Sequence, residues 1–146
     1  MTMTKAIYIG TLNGKPLRFF ESPNPGPQFP WHSIDDLYKC LGLDHGARNE
    51  FRKLTTEGEE WSKNVHIIDT DSGLVTIASH TMAQVMIGAT AEAGRNILKL
   101  SKTEEELLDE YCEVVVEAGN VLTDGMTEEE SFRFVIAAAK SEIGRG

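Results

Sequence analysis

The stretch Trp31–Lys53, WHSIDDLYKCLGLDHGARNEFRK, decides how the fold is interpreted. Ser33 is a good helix N-cap residue, and an apolar face at helical spacing follows it. Gly42 is suited to end this helix, because glycine readily adopts the left-handed conformation found at many helix ends. Asp44 can cap a second short helix. The apolar face of that second helix consists of Ala47, Phe51 and Leu54.

The outer side of the second helix carries polar side chains at helical spacing. In a helix–turn–helix the second helix lies in the major groove, where arginine recognises guanine and asparagine recognises adenine. Tyr38 favours the alternative of a merely solvated helix, since a helix–turn–helix usually has a small residue near the middle of its first helix. The candidate nucleic-acid-binding residues are His45, Arg48, Asn49, Arg52 and Lys53.

The flanking segments predict two β-hairpins and a third helix. Asn13-Gly14 is a strong hairpin signal, because a two-residue turn of the favoured hand needs positive φ at both positions. Asp71-Ser72-Gly73 lies between two further alternating apolar segments and predicts the second hairpin. Ser79 can cap the helix that follows it. The proline-rich segment 23–30 between the first hairpin and Trp31 indicates a connector.

Two acidic helices are predicted after residue 101. Thr103 with Glu106, and Thr127 with Glu130, have the spacing of capping boxes, and a turn at Asp124-Gly125 separates the two helices. The sequence therefore predicts an α+β fold with two β-hairpins, short helices that include a helix–turn–helix-like pair, and a C-terminal acidic helical hairpin. We expect an α+β domain over residues 1–100. Residues 101–146 would pack on that domain or mediate self-association as a homodimer.

The charge is divided unequally along the chain. The net charge is −9, yet residues 1–66 carry eight basic and eight acidic side chains, so the whole excess lies in residues 67–146. Such a surface repels DNA and attracts a basic partner. The candidate partner-binding residues are Glu105, Asp109 and Glu113. The alternative is that these carboxylates only solubilise the helices and support their N-termini.

Signatures of catalysis are missing from the sequence. The four histidines show no metal-ligand spacing, and there is no phosphate-binding glycine loop and no G-x-S-x-G motif. We expect a protein that is not an enzyme and has no cofactor and no metal site. Cys40 and Cys112 are interpreted as two buried thiols. No apolar run approaches the roughly 20 residues that span a bilayer, and the first residues lack secretory features, so we expect no membrane association and a cytoplasmic location.

Over about residues 5–90 the chain resembles the N-terminal BRO domain and its relatives in phage antirepressors. The segments FPWHSIDDLYKCLGLDHGARNEFRKL and VHIIDTDSGLVTIASHTMAQVMIG carry this resemblance. It implies a small phage or prophage regulator that binds DNA in transcription regulation, or one that captures a repressor, in the cytoplasm of the host cell. The competing hypothesis is an acidic inhibitor that blocks the basic surface of a nucleic-acid-binding protein, as DNA mimics and some anti-CRISPR proteins do.

Overall fold

The structure is a computed structural model that describes residues 4–57, 63–94 and 102–145. Its strands are β1 Tyr8–Leu12, β2 Lys15–Phe20, β3 Trp31–Ser33, β4 Val65–Thr70 and β5 Gly73–Ala78. Its helices are α1 Ile34–Cys40, α2 His45–Glu57, α3 His80–Gly94, α4 Glu104–Thr123 and α5 Glu128–Arg145. The predicted α+β class is confirmed.

The strands form one antiparallel sheet in the order β1-β2-β3-β5-β4. β3 is only three residues long, yet it joins the two halves of the sheet: His32 lies opposite Phe19 of β2 on one side and Ala78 of β5 on the other. The sequence did not predict this strand. β1 and β2 are joined at Asn13 and Gly14, whose φ angles of 52° and 80° are the left-handed values that such a tight turn requires.

The main core lies on one face of the sheet, under α1, α3 and α4. Each of these helices buries an apolar side: Leu37 from α1, Ile87 from α3 and Leu107 from α4 are all inaccessible to solvent. The apolar side of the acidic helix α4 therefore belongs to the same core as apolar residues of the predicted first domain. The predicted boundary near residue 100 falls in 95–101, outside the described residues, and the two-domain division stays a prediction.

A smaller cluster lies on the opposite face of the sheet. It consists of Phe20, Trp31, Val75 and Ile77, with Ala6 and Ile68 packed against it. Next to this cluster the Thr4 amide donates to the Asp69 carbonyl at 3.0 Å, and Thr4 forms a bridge with Thr70. Because Thr4 precedes β1 and Thr70 ends β4, this bridge ties the chain before one edge strand to the other edge strand.

An ion pair between Arg18 and Asp36 connects β2 to α1. The Asp36 carboxylate accepts from Arg18 Nε at 2.8 Å, from a terminal guanidinium nitrogen at 3.1 Å and from the Arg18 backbone amide at 3.0 Å. The backbone amide of Asp36 in turn donates to the Ser33 hydroxyl at 3.2 Å, which caps α1. One buried carboxylate thus holds a strand and a helix start together.

α4 crosses β1 at Gly10, where the Val114 side chain of α4 lies against the strand. A β-carbon added at Gly10 would overlap the Val114 side chain. Two hydrogen bonds flank this crossing: the Tyr8 hydroxyl donates to the Glu117 carboxylate, and the Asn13 amide donates to the Glu110 carboxylate. The crossing therefore depends on the absence of a side chain at residue 10.

We expect Gly10→Ala to lower the free energy of unfolding by about 1–3 kcal/mol, because the added methyl overpacks the contact between β1 and α4. Gly119→Ala is the matched control, since a β-carbon at this α4 position meets no atom within 4 Å. That change should raise stability by up to about 1 kcal/mol, as alanine favours a helix. Urea unfolding measures both, and a Gly10→Ala variant as stable as the wild type would refute the close approach.

Candidate binding surfaces

The inner side of α2 is fixed against the rest of the fold. Ala47 and Phe51 pack on the main core, and the Phe51 ring stacks on Tyr38 with a centroid distance of 6.2 Å. At the start of the helix the Asp44 carboxylate accepts from the Ala47 amide at 2.8 Å. The turn before α2 contains Gly42 with φ of 67°. α2 is thus anchored so that its opposite side faces solvent.

The predicted nucleic-acid-binding residues all lie on α2, but they are not equivalent. Arg48 is half-buried, and its Nε donates to the Leu43 carbonyl at 3.0 Å. Arg52 is exposed and pairs with Asp35 at 3.2 Å. Both guanidinium groups therefore have intramolecular partners, although an exposed pair such as that of Arg52 contributes little to stability. The remaining three residues, His45, Asn49 and Lys53, are exposed.

Glu105, Asp109 and Glu113 form a row on α4. Their four-residue spacing places them on one side of the helix, and all three are exposed. Within the described part of the chain, none of the three carboxylates has a hydrogen-bond or ion-pair partner. We call these three residues the acidic row. Their negative charge is available to a partner molecule.

Other carboxylates of α4 and α5 have structural roles. Glu106 accepts from the Thr103 amide and Glu130 from the Thr127 amide, each at 3.0 Å, and the threonine hydroxyls complete both capping boxes. These backbone hydrogen bonds lower the pKa of both glutamates. Glu110 binds Lys102 as well as the Asn13 amide. Only part of the acidic surface is therefore free, a distinction that the sequence alone could not make.

The ion pairs identified between described residues do not link the two halves of the chain. The ion pairs found there are Arg18–Asp36, Arg52–Asp35, Lys102–Glu110 and Arg133–Glu129. Each pair joins residues of the same half of the chain. None of these pairs joins a basic side chain of α2 to the acidic row of α4.

An apolar groove runs between α4 and α5. Its deeper part has a volume of about 370 Å³, with Phe29 and His80 among its lining residues. A shallower part of about 450 Å³ continues toward the α4–α5 turn and shares Thr123, Ser131 and Val135 with the deeper part. We call the two parts together the α4–α5 groove. Its exposed apolar side chains are Val116, Met126, Phe132 and Val135.

The two cysteines differ in environment. Cys40 is buried, and burial raises the pKa of its thiol to about 12. Cys112 is exposed and lines the α4–α5 groove, so the interpretation of both as buried thiols was wrong for Cys112. The reason is its position next to Tyr111: Tyr111 points into the core, and its neighbour on the helix therefore points outward.

Three polar rings, of which those of His32 and Tyr111 are buried and that of His80 is half-buried, meet at the junction of β3, α3 and α4. Tyr111 stacks on His80 at a centroid distance of 5.4 Å and meets His32 edge to face at 5.9 Å. Among the described residues, the two ring nitrogens of His32 and the hydroxyl of Tyr111 have no hydrogen-bond partner. Burial, with the nearby His80, lowers the pKa of His32 to about 3. These three residues lie far apart in the sequence, so no local sequence pattern indicated that they are in contact.

Residues 4–57, 63–94 and 102–145 contain no group of three or more histidine, cysteine or acidic residues placed to hold a metal ion. In the same described residues, no helix combines the length and the apolar character that crossing a membrane requires. The predicted absence of a cofactor and of catalytic activity stays a prediction.

Comparison of the chain with protein-family models, with curated proteins and with solved structures finds no match. The resemblance to BRO domains therefore stays a prediction.

We expect the stability of the protein to fall as pH falls below about 6.5, in part because His32 is neutral in the folded state and protonates only on unfolding. His32→Leu removes this contribution. Between pH 7 and pH 5 the wild type should lose roughly 2 kcal/mol more than the variant, since each pH unit below the ordinary histidine pKa is worth about 1.4 kcal/mol. Urea unfolding at both pH values tests this, and parallel losses would contradict it.

Proposed function

We propose that this chain is a small regulatory protein that acts by binding, and that α4 captures the basic surface of a nucleic-acid-binding protein. The observation that carries the proposal is the acidic row, whose three exposed carboxylates have no partner in the described residues. Carboxylates that already cap helices or pair with lysine offer little to a partner. The three carboxylates of the acidic row are not used in either way, so they can interact with a partner.

The negative charge of the acidic row favours a partner with a basic surface. Three like charges along one helix side attract a basic surface over about a Debye length and speed association. Proteins that bind nucleic acids present such basic surfaces to phosphates. An acidic helix on that surface excludes the nucleic acid by competition. This is the action of a phage-type antirepressor, which the resemblance implies, and it requires no catalysis. It would take place in the cytoplasm.

Charge reversal of the acidic row tests the proposal. We expect Glu105→Lys, Asp109→Lys and Glu113→Lys together to abolish the capture of host proteins by the immobilised chain from a nuclease-treated lysate at low salt. The fold should persist, because all three side chains are exposed. Quantitative mass spectrometry of the retained proteins provides the measurement, and circular dichroism checks the fold.

The matched control reverses the same number of exposed carboxylates elsewhere, at Glu21, Glu50 and Asp69. It changes the net charge equally but leaves α4 intact, so it should retain the captured proteins. Loss of capture in the control to the same degree would show that net charge alone is responsible. Unchanged capture by the α4 variant would remove the proposal.

A second candidate function is DNA binding through α2. Its support is the exposed side of α2, with His45, Asn49 and Lys53 following a glycine turn, together with the resemblance to BRO domains. Asparagine can recognise adenine, and lysine can contact phosphate. The intramolecular contacts of Arg48 and Arg52 count against this function, because base recognition would have to break them.

For this second candidate we expect Asn49→Ala with Lys53→Ala to weaken DNA binding. The loss of one phosphate contact should lower the slope of log affinity against log salt concentration by about 1. Asn120→Ala with Lys140→Ala is the matched control, because this pair is also exposed and helical. Fluorescence anisotropy with duplex DNA measures both, and no binding by the wild type at low salt would exclude the function.

A further inference from the structure

We infer that the α4–α5 groove is the docking site for a basic amphipathic helix of the partner protein. This inference rests on the proposed function and adds the structural element that the partner supplies. The acidic row provides long-range attraction, whereas the groove provides the apolar contact that fixes where the partner helix lies.

Solvent-exposed apolar side chains mark the groove as a contact surface. Phe132 is 67% exposed and Val116 is 60% exposed, and they line neighbouring parts of the groove on opposite helices. Large apolar residues grouped in this way on a monomer indicate an interaction site. The deeper part is bounded by Phe29 and His80, so side chains of a partner could bury apolar area there.

The dimensions suit a helix. The α4 wall of the groove extends from Cys112 to Thr123, which is about 16 Å at 1.5 Å per residue. That length corresponds to about three helical turns. An amphipathic helix would present side chains at positions i, i+3 or i+4, and i+7 along such a groove, which is a common mode of peptide recognition.

Charge selects the partner helix. The groove lining contains no lysine and no arginine among the described residues, and Glu128 lies at its shallow end. The acidic row lies on the helix that forms one wall of the groove. A second copy of this chain would bring the same acidic helices against each other, because the net charge of each copy is −9. A helix with lysine or arginine beside its apolar stripe complements the surface on both counts.

Three synthetic helical peptides of equal length test the inference by fluorescence anisotropy. The first has leucine at the groove-facing positions and lysine elsewhere, the second replaces leucine by serine, and the third replaces lysine by glutamate. We expect the first to bind the full chain at least roughly tenfold more tightly than either of the others, since both attraction and apolar contact are required. Equal binding of the first and second peptides would overturn the inference.

Variants of the groove separate this inference from the proposed function. Val116→Ser with Phe132→Ser should weaken the first peptide roughly tenfold, the loss expected when an interface anchor is truncated. A bulky maleimide on the exposed thiol of Cys112 should block binding. The same label on a Cys112→Ser, Leu74→Cys variant should not block binding, because Leu74 is exposed on β5 and does not line the groove.

The outcomes are distinguishable. If charge reversal of the acidic row abolishes capture of host proteins while the groove variant and the Cys112 label leave peptide binding unchanged, the inference fails and the proposed function stands. If charge reversal has no effect on capture, the proposed function fails. Light scattering provides the last arm: a stable dimer of the wild type that Val116→Ser and Phe132→Ser convert to monomer would assign the groove to a second copy and overturn the inference.

Discussion

The packing of α4 against the sheet is the constraint on which the rest of the structure depends. Tyr111 is fully buried, with the rings of Phe19, His32 and His80 around it. Gly10 lets the helix come close to β1. These contacts fix the rotation of α4 about its own axis. Once that rotation is fixed, the side chains on the outer side of the helix, including the acidic row and Cys112, must face solvent.

The same rotation explains why the acidic residues divide into two groups. Carboxylates near the sheet or at a helix start are used internally: Glu117 by Tyr8, Glu110 by Asn13, and Glu106 by its capping box. Among the described residues, the three carboxylates of the acidic row have no such partner. The acidic residues of this chain therefore have two different roles: some stabilise helices and strand contacts, and others leave their charge available to a partner. Only the three-dimensional arrangement shows which residue has which role.

Local patterns were sufficient for part of the fold. The Asn13-Gly14 turn and the helical periodicity after Ser33, Ser79 and Thr103 act over a few residues, which is why the α+β class could be predicted. The three-residue strand β3 could not be predicted, because it exists only through pairing with β2 and β5 on either side. The hydrogen bond from Arg48 to the Leu43 carbonyl and the exposure of Cys112 were also not predicted, because both depend on tertiary packing.

Native-state hydrogen exchange on the full chain tests the central claim most directly, namely that α4 belongs to the same cooperative unit as the sheet. If it does, the amides of Tyr111, Val115 and Ala118 open with the same free energy as those of Leu17 and Phe19 in β2. Equal opening energies, lowered together by Gly10→Ala, are the predicted result. Opening of α4 at a clearly lower free energy, with the strands still protected, would contradict the account.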